Sequence, residues 1–442
     1  MKQIIFYSAL FLVSMTGWHC KTEFLNPNKP SEQDIVTTRE GLITLSIGMK
    51  AFYADTALEA LIVTPGTTAR ETKGITTFTN IIEIENGGSV LPTFNGNILS
   101  LWSRMYRVMG MAERVIENAP TVLANDNPMR SGLVAHAHLF KAMALGALAT
   151  GFEQVSLQTD RTGQASFVPR QAALEQAITL LEQADALLTA TPPSAEFYTR
   201  LVGADFKLRS TINAYRARFN LMAGKYAQAI AAANLVSPDS MSRFVYDGAR
   251  LANPVHRQLR IANNYAPRSN FGLPAGLFDP ADARLEFYLS LPNTVIGGET
   301  LKTIKGFAQA NSAPLPVYLP DEMRLIRAEA IIRSGGVLTD ALAEINAVRT
   351  QTTGDVFGVY ANLPAYAGPV TADELLLEVY RQRSAELYLS GLRWEDNRRF
   401  GRPAPPANVN PVPLTFERSR NFYPYPDQER LTNPQTPPDP AL

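Results

Sequence analysis

Along most of the chain, apolar positions recur at intervals of three and four, the mark of amphipathic helices. After Ser31-Glu32-Gln33-Asp34, one such pattern runs towards Phe52 and Tyr53 with Leu42, Leu45 and Met49 on one face. From Leu99 the period places Trp102, Tyr106 and Met109 on a stripe that Val115 and Ile116 extend and Pro120 is expected to end. An alanine-rich helix follows over Ser131 to Thr150, and after Val168-Pro169-Arg170 another aligns Leu174, Ile178, Leu181 and Leu188. Between Thr211 and Leu235, Ala214, Ala217 and Leu221 mark a helix, Ala223-Gly224-Lys225 a turn, and Tyr226, Ala229, Ile230 and Ala233 a second helix. The same grammar returns over Met323 to Arg349, with Gly335-Gly336 as the turn. Small residues facing each other across a short glycine turn predict tetratricopeptide-like hairpins, which must stack to bury their apolar faces.

Near the C-terminus, Leu376, Val379, Tyr380, Arg383, Ser384 and Leu387 form a helical stripe that is apolar except for an arginine in its middle. A buried guanidinium requires acceptors, and Glu378 and Glu386 are the nearest carboxylates in sequence. The helix is expected to stop at Gly391. Leu392 to Phe400 then sets Trp394 among charged side chains, which reads as a charged plug anchored by an aromatic ring.

Two stretches break the helical period. Thr64 to Asn97 is rich in Thr, Gly, Asn and Pro and reads as a long irregular loop; Ser237 to Pro320 is rich in Asn, Pro, Gly and aromatic residues. Flat rings beside amides suit the faces and hydroxyls of a sugar. The candidate ligand contacts are therefore Phe78 and Phe94 in the first stretch, and Asn263, Asn264, Tyr265, Arg268 and Phe271 in the second.

Composition narrows the function. The chain has 442 residues, 45% hydrophobic and 19% charged, and zero formal net charge, which fits a folded globular protein and argues against a nucleic-acid binder that relies on bulk positive charge. A single cysteine, Cys20, excludes an intrachain disulfide and a cysteine-cluster metal site. His136 and His138 are two apart, so on a helix they diverge and make a poor metal pair. No Walker loop, GxSxG, HExxH or GxGxxG pattern is present, and nothing supports an enzyme or a cofactor. At the start, Lys2 and the apolar run Ile4 to Val13 have the form of a signal peptide over residues 1–19. Cys20 follows where a bacterial lipoprotein is cut and acylated, although Gly17-Trp18-His19 is an imperfect lipobox. Residues 20–34 then read as a polar tether leading into one domain over 35–442.

Arg383, Glu386 and Leu387, then Gly391, Arg393-Trp394, Asp396, Arg398-Arg399 and Gly401, resemble the C-terminal signature of the SusD/RagB family, the surface nutrient-binding lipoproteins of Bacteroidetes-type bacteria. Gln382, Ser390, Glu395 and Asn397 depart from its usual residues. The resemblance extends to Phe24-Leu25, to the Trp102-x3-Tyr106 helix, to the phrase Ala328-Glu329-Ala330 with Ile345, Asn346, Val348 and Arg349, to Asp279-Pro280 with Asp282 and Arg284, and to Tyr425, Pro426, Glu429, Asn433 and Pro434. It implies a mainly α, SusD-like fold, with tetratricopeptide-like helices over about 99–235 and 321–401 and insertions over about 64–98 and 237–320 building the ligand side. It further implies a lipid-anchored, surface-exposed protein of the outer membrane that binds an oligosaccharide or peptide and delivers it to a SusC-like TonB-dependent transporter. A periplasmic tetratricopeptide scaffold is the competing class.

Overall fold

The computed structural model describes residues 35–441 except residue 161. The expected signal peptide, Cys20 and the tether lie outside the described residues.

The N-terminal helix α1 (Arg39–Phe52) is capped by Thr38, whose hydroxyl accepts from the Gly41 amide. It runs through a π-helical turn (Tyr53–Ala57) into α2 (Leu58–Thr68), so one nearly continuous rod crosses the core. Two helices follow, α3 (Thr79–Asn86) and the long α4 (Gly96–Val122). The stretch read as irregular, Thr64 to Asn97, is therefore largely ordered by helix ends: α2 carries Pro65 and Gly66 inside it, and α3 occupies its middle. Its polar composition reflects helix caps and turns, which demand the residues that loops use. Pro120 does not end α4 either; it sits in the last turn, where the helix continues to Val122.

The helical scaffold is built by neighbour-to-neighbour packing. The helices α5 (Asn127–Gly151), α6 (Arg170–Ala190), α7 (Leu208–Met222) and α8 (Tyr226–Ala233) follow α4. They are succeeded by α9 (Pro320–Arg333), α10 (Leu338–Arg349), α11 (Ala372–Glu386) and the short α12 (Arg393–Arg399). The α7–α8 and α9–α10 hairpins turn where the glycine pattern places them, and α8 lies against α9. Helix α5 is long and apolar enough to cross a bilayer, but that stretch is wholly buried here. Small residues make its burial possible: a methyl group at Gly146 would meet the Phe219 ring at 2.1 Å. His136, also on α5, is wholly buried against Phe140, and burial, aided by the Lys50 charge, pushes its pKa down. Strands are few and short. Strand β1 (Thr72–Gly74) pairs antiparallel with β2 (Tyr265–Pro267), and a hairpin of β3 (Leu289–Ile296) and β4 (Glu299–Ile304) joins them through a bridge between Arg268 and Leu301.

The C-terminal signature forms an interior lock. Arg383 reaches neither Glu378 nor Glu386; its Nε and Nη2 donate to Asp396, at 2.8 and 3.1 Å, both residues being almost fully buried. Asp396 also accepts from Arg399, which makes a two-point contact with Glu329, and Glu329 accepts from Arg333. Three helices, α9, α11 and α12, are thus joined by one alternating chain of charges. Glu386 instead takes Arg284, which also pairs with Asp282. Glu378 takes Arg349.

Trp394 is fully buried, lies 4.3 Å from the Tyr423 ring, carries the Arg398 guanidinium on its face, and donates its Nε1 hydrogen to the Arg420 carbonyl. The expected stop at Gly391 is corrected: α11 ends at Glu386, and Leu389 (φ 53°) and Gly391 (φ 81°) turn the chain. That turn is held from outside the helix, because Glu71 Oε1 accepts from the Leu389 amide and a side chain at Gly391 would press on the Leu61 carbonyl at 2.7 Å.

Removing one partner from a buried pair leaves an uncompensated charge. Asp396→Ala, which strands Arg383 and leaves Arg399 to Glu329 alone, is expected to cost about 3–5 kcal/mol in urea unfolding. Glu71 gives a pH signature. Burial pushes its carboxyl up to about 7, against the partial relief of the Arg393 charge and the Leu389 amide. Above about pH 4.5 the unfolded chain has released a proton that folded Glu71 keeps, so this group's contribution to stability falls as pH rises to about 7 and then levels. Glu71→Gln cannot ionise, and relative to the wild type it is expected to gain about 3 kcal/mol between pH 4.5 and 8.

Candidate functional site

Phe78 and Phe94 are held at the surface by the starts of two helices. Phe78 is the N-cap residue of α3, and its amide donates to the Thr76 hydroxyl. Phe94 immediately precedes Asn95, whose side-chain oxygen caps α4 by accepting from the Asn97 and Ile98 amides. The rings are 56% and 71% exposed, although burying a phenylalanine is worth roughly 2–3 kcal/mol. They line one shallow depression together with Thr79, Asn80, Glu83, Asn95 and Gly96.

A second depression, of about 160 Å³, adjoins the first at Phe78 and Asn80. Its walls include Glu59, Ser100, Arg104, Asn97, Gln258, Asn264 and Tyr265. The amides are wired to one another and to the helices. Asn80 Nδ2 donates to Asn97 Oδ1, Asn95 Nδ2 donates to the Asn80 carbonyl and to Glu83 Oε2, and Asn264 Nδ2 donates to Gln258 Oε1. Such cross-linked amides are oriented before a ligand arrives.

The charges at the far wall cancel. Arg257 binds Asp55 and Glu59, and Arg104 binds Glu59 and the Thr56 carbonyl. Burial acts to raise the Glu59 pKa, but the hydrogen bonds from Gln258 and Arg257, with the Arg257 charge, outweigh it and hold the carboxyl below its usual range.

The residues expected from the second insertion divide into three groups. Asn264 and Tyr265 reach the cleft. Tyr265 does so from β2, with only 4% of its surface exposed, so little of its ring is open for stacking. Asn263, in a left-handed conformation (φ 52°), shapes the turn before it. Arg268 and Phe271 point inward. Arg268 is buried among Glu85, Glu299 and the Arg70 and Thr72 carbonyls, which welds the β3–β4 hairpin to the segment bearing Phe78. Phe271 packs edge-on against Tyr388 at 5.2 Å and borders a separate polar cleft of about 530 Å³ that Phe278, Arg349, Tyr366, Glu378 and Arg381 also line. Its neighbour explains the direction: Gly272 (φ 72°) lies so close to the Arg70 carbonyl that any side chain there would collide with it. Most other aromatics of that insertion, including Phe244, Tyr246, Tyr288 and Tyr318, are buried too.

Sequence reasoning passed over Asn80, Glu83, Asn95, Asn97 and Gln258. A signal was present at Phe94-Asn95-Gly96-Asn97, where an aromatic residue abuts a cap asparagine at the start of a strongly periodic helix.

No protein-family model matches the chain, and no curated protein matches it in sequence. Solved structures do match. A SusD superfamily protein from Bacteroides thetaiotaomicron superposes with a TM-score of 0.68 at 15% identity, over 91% of this chain and 100% of that one. A SusD-like carbohydrate-binding protein from Bacteroides fragilis gives 0.64 at 14% identity, over 91% and 99%. A SusD/RagB family protein from Bacteroides thetaiotaomicron gives 0.63 at 16% identity, over 89% and 94%. The chain has the SusD-like fold.

Exposure separates the two kinds of phenylalanine experimentally. Phe271→Ala is expected to lower the unfolding free energy by about 3–5 kcal/mol, while Phe78→Ala and Phe94→Ala change it by no more than about 0.5 kcal/mol.

Proposed function

We propose that this protein captures an oligosaccharide at the Phe78–Phe94 cleft and passes it on without breaking a bond. The observation that carries the reading is the pair of exposed phenylalanine rings set over cross-linked amides, since exposed rings cost solvation and amides match hydroxyls. Two structures of the same fold described as carbohydrate-binding, from Bacteroides fragilis and Bacteroides vulgatus, support a sugar ligand. Glycoside hydrolysis would need two carboxyl groups with different proton affinities. Of the two carboxylates lining the cleft, Glu59 is held ionised by its arginine and glutamine partners, so it makes a poor proton donor.

The remaining parts of the reading rest on the fold and on the N-terminal sequence. An acylated Cys20 would tether the domain to the outer membrane, with the cleft facing outward. The captured glycan would then move to a SusC-like TonB-dependent transporter.

The test is a panel of soluble glycans measured by affinity electrophoresis and calorimetry. At least one is expected to bind, with each of Phe78→Ala and Phe94→Ala weakening it about tenfold. Undiminished binding by the double variant would remove the cleft from the account. On intact cells, added protease is expected to cut the protein; resistance, while an outer-leaflet control is cut, would place it on the inner side and favour the periplasmic scaffold.

A further inference from the structure

Glu83 differs from the four ion-paired carboxylates around the cleft. Asp55 and Glu59 are matched by Arg104 and Arg257, and Glu85 and Glu299 by Lys73 and Arg268. Four acids there meet four bases. Two further cations behind α3 are buried and spent on carbonyls: Arg70 donates to those of Glu85, Val412 and Phe416, and Arg420 to those of Gly88 and Phe422. Among the described residues no cationic group pairs with Glu83, whose carboxylate takes one hydrogen bond, on Oε2 from Asn95 Nδ2 at 2.8 Å. It is half-buried on the same depression as the exposed Phe78 and Phe94 rings. A carboxylate with an open oxygen beside aromatic faces is an electronegative pocket: the anion attracts a positive charge, and ring faces attract it further through their quadrupoles. Neutral hydroxyls would gain from the carboxylate alone, whereas an ammonium gains from both.

We infer that the oligosaccharide held between Phe78 and Phe94 carries a free amine, and that Glu83 selects it as the protonated form. This rests on the proposed glycan cleft and narrows its ligand to amino sugars. The Asn95 bond matters to the selection, because it restrains the carboxylate through Oε2 and leaves Oε1 for the ligand.

The experiment uses the mature chain and two tetrasaccharides with the same backbone, one of glucosamine and one of N-acetylglucosamine, titrated calorimetrically at about pH 5.5, where the amines are protonated and most glutamates ionised. The expected result is about tenfold tighter binding of the free-amine form. Glu83→Gln keeps the acceptor for Asn95 and is expected to bring the ratio of the two affinities to about one, as is raising the pH to about 8.5 on the wild type. Equal or tighter binding of the acetylated form overturns the inference, as does a ratio unchanged by Glu83→Gln. Tri-lysine bound as tightly as the amino sugar also overturns it, in favour of a basic peptide. If both tetrasaccharides bind equally and both are lost in the Phe78→Ala/Phe94→Ala variant, the glycan cleft stands and the amine selection alone falls. If neither binds, the selection is refuted, and the glycan panel decides the cleft separately.

Discussion

The buried charge chain Arg383–Asp396–Arg399–Glu329 is the constraint on which the rest of the structure depends. Its members come from three helices, and the chain of pairs is complete only when all three are in place. Ion pairs of this kind add little net stability over apolar packing, but they penalise every arrangement that separates them. Trp394 extends the constraint outward. Its indole bond to the Arg420 carbonyl fixes the tail, Arg420 donates to the Gly88 carbonyl, and the Ser419 hydroxyl donates to the Ile84 carbonyl at the end of α3. Gly87 (φ 61°) admits that contact, since a side chain there would clash with the Ser419 carbonyl. The helix that carries Glu83 and begins at Phe78 is therefore clamped from the C-terminal lock.

Legibility in the sequence followed the same division. Periodic segments with glycine turns gave the α7–α8 and α9–α10 hairpins almost to the residue, because small facing residues and short turns leave few alternatives. Arg383 was recognisable as buried, yet its partner was not: Asp396 lies on a different helix, and only the turn at Leu389 and Gly391 brings it within reach. Glu71 and Leu61, hundreds of residues away in sequence, hold that turn. Thr64 to Asn97 misled for a related reason, since cap and turn residues crowd a segment made of short helices. The site was half legible. Exposed rings at helix starts look in sequence like rings at buried turns, and Phe78, Phe94 and Phe271 differ only in what the distant chain places above them.

The division of labour between lock and cleft follows from charge. Around the lock, ions are paired inside the protein and closed to solvent. Around the cleft the same pairing is completed at the back wall by Asp55, Glu59, Arg104 and Arg257, while the front keeps amides, two rings and the carboxylate of Glu83. A rigid back and a polar, aromatic front suit the proposed capture and release, in which affinity comes from many modest contacts.

A crystal structure of the protein soaked with a bound oligosaccharide tests this account most directly. The account predicts a sugar ring against Phe78 or Phe94, with hydroxyls on Asn80, Asn97 or Asn264. A ligand found instead in the cleft bordered by Phe278, Tyr366 and Arg381, with the Phe78–Phe94 depression holding only solvent, would contradict it.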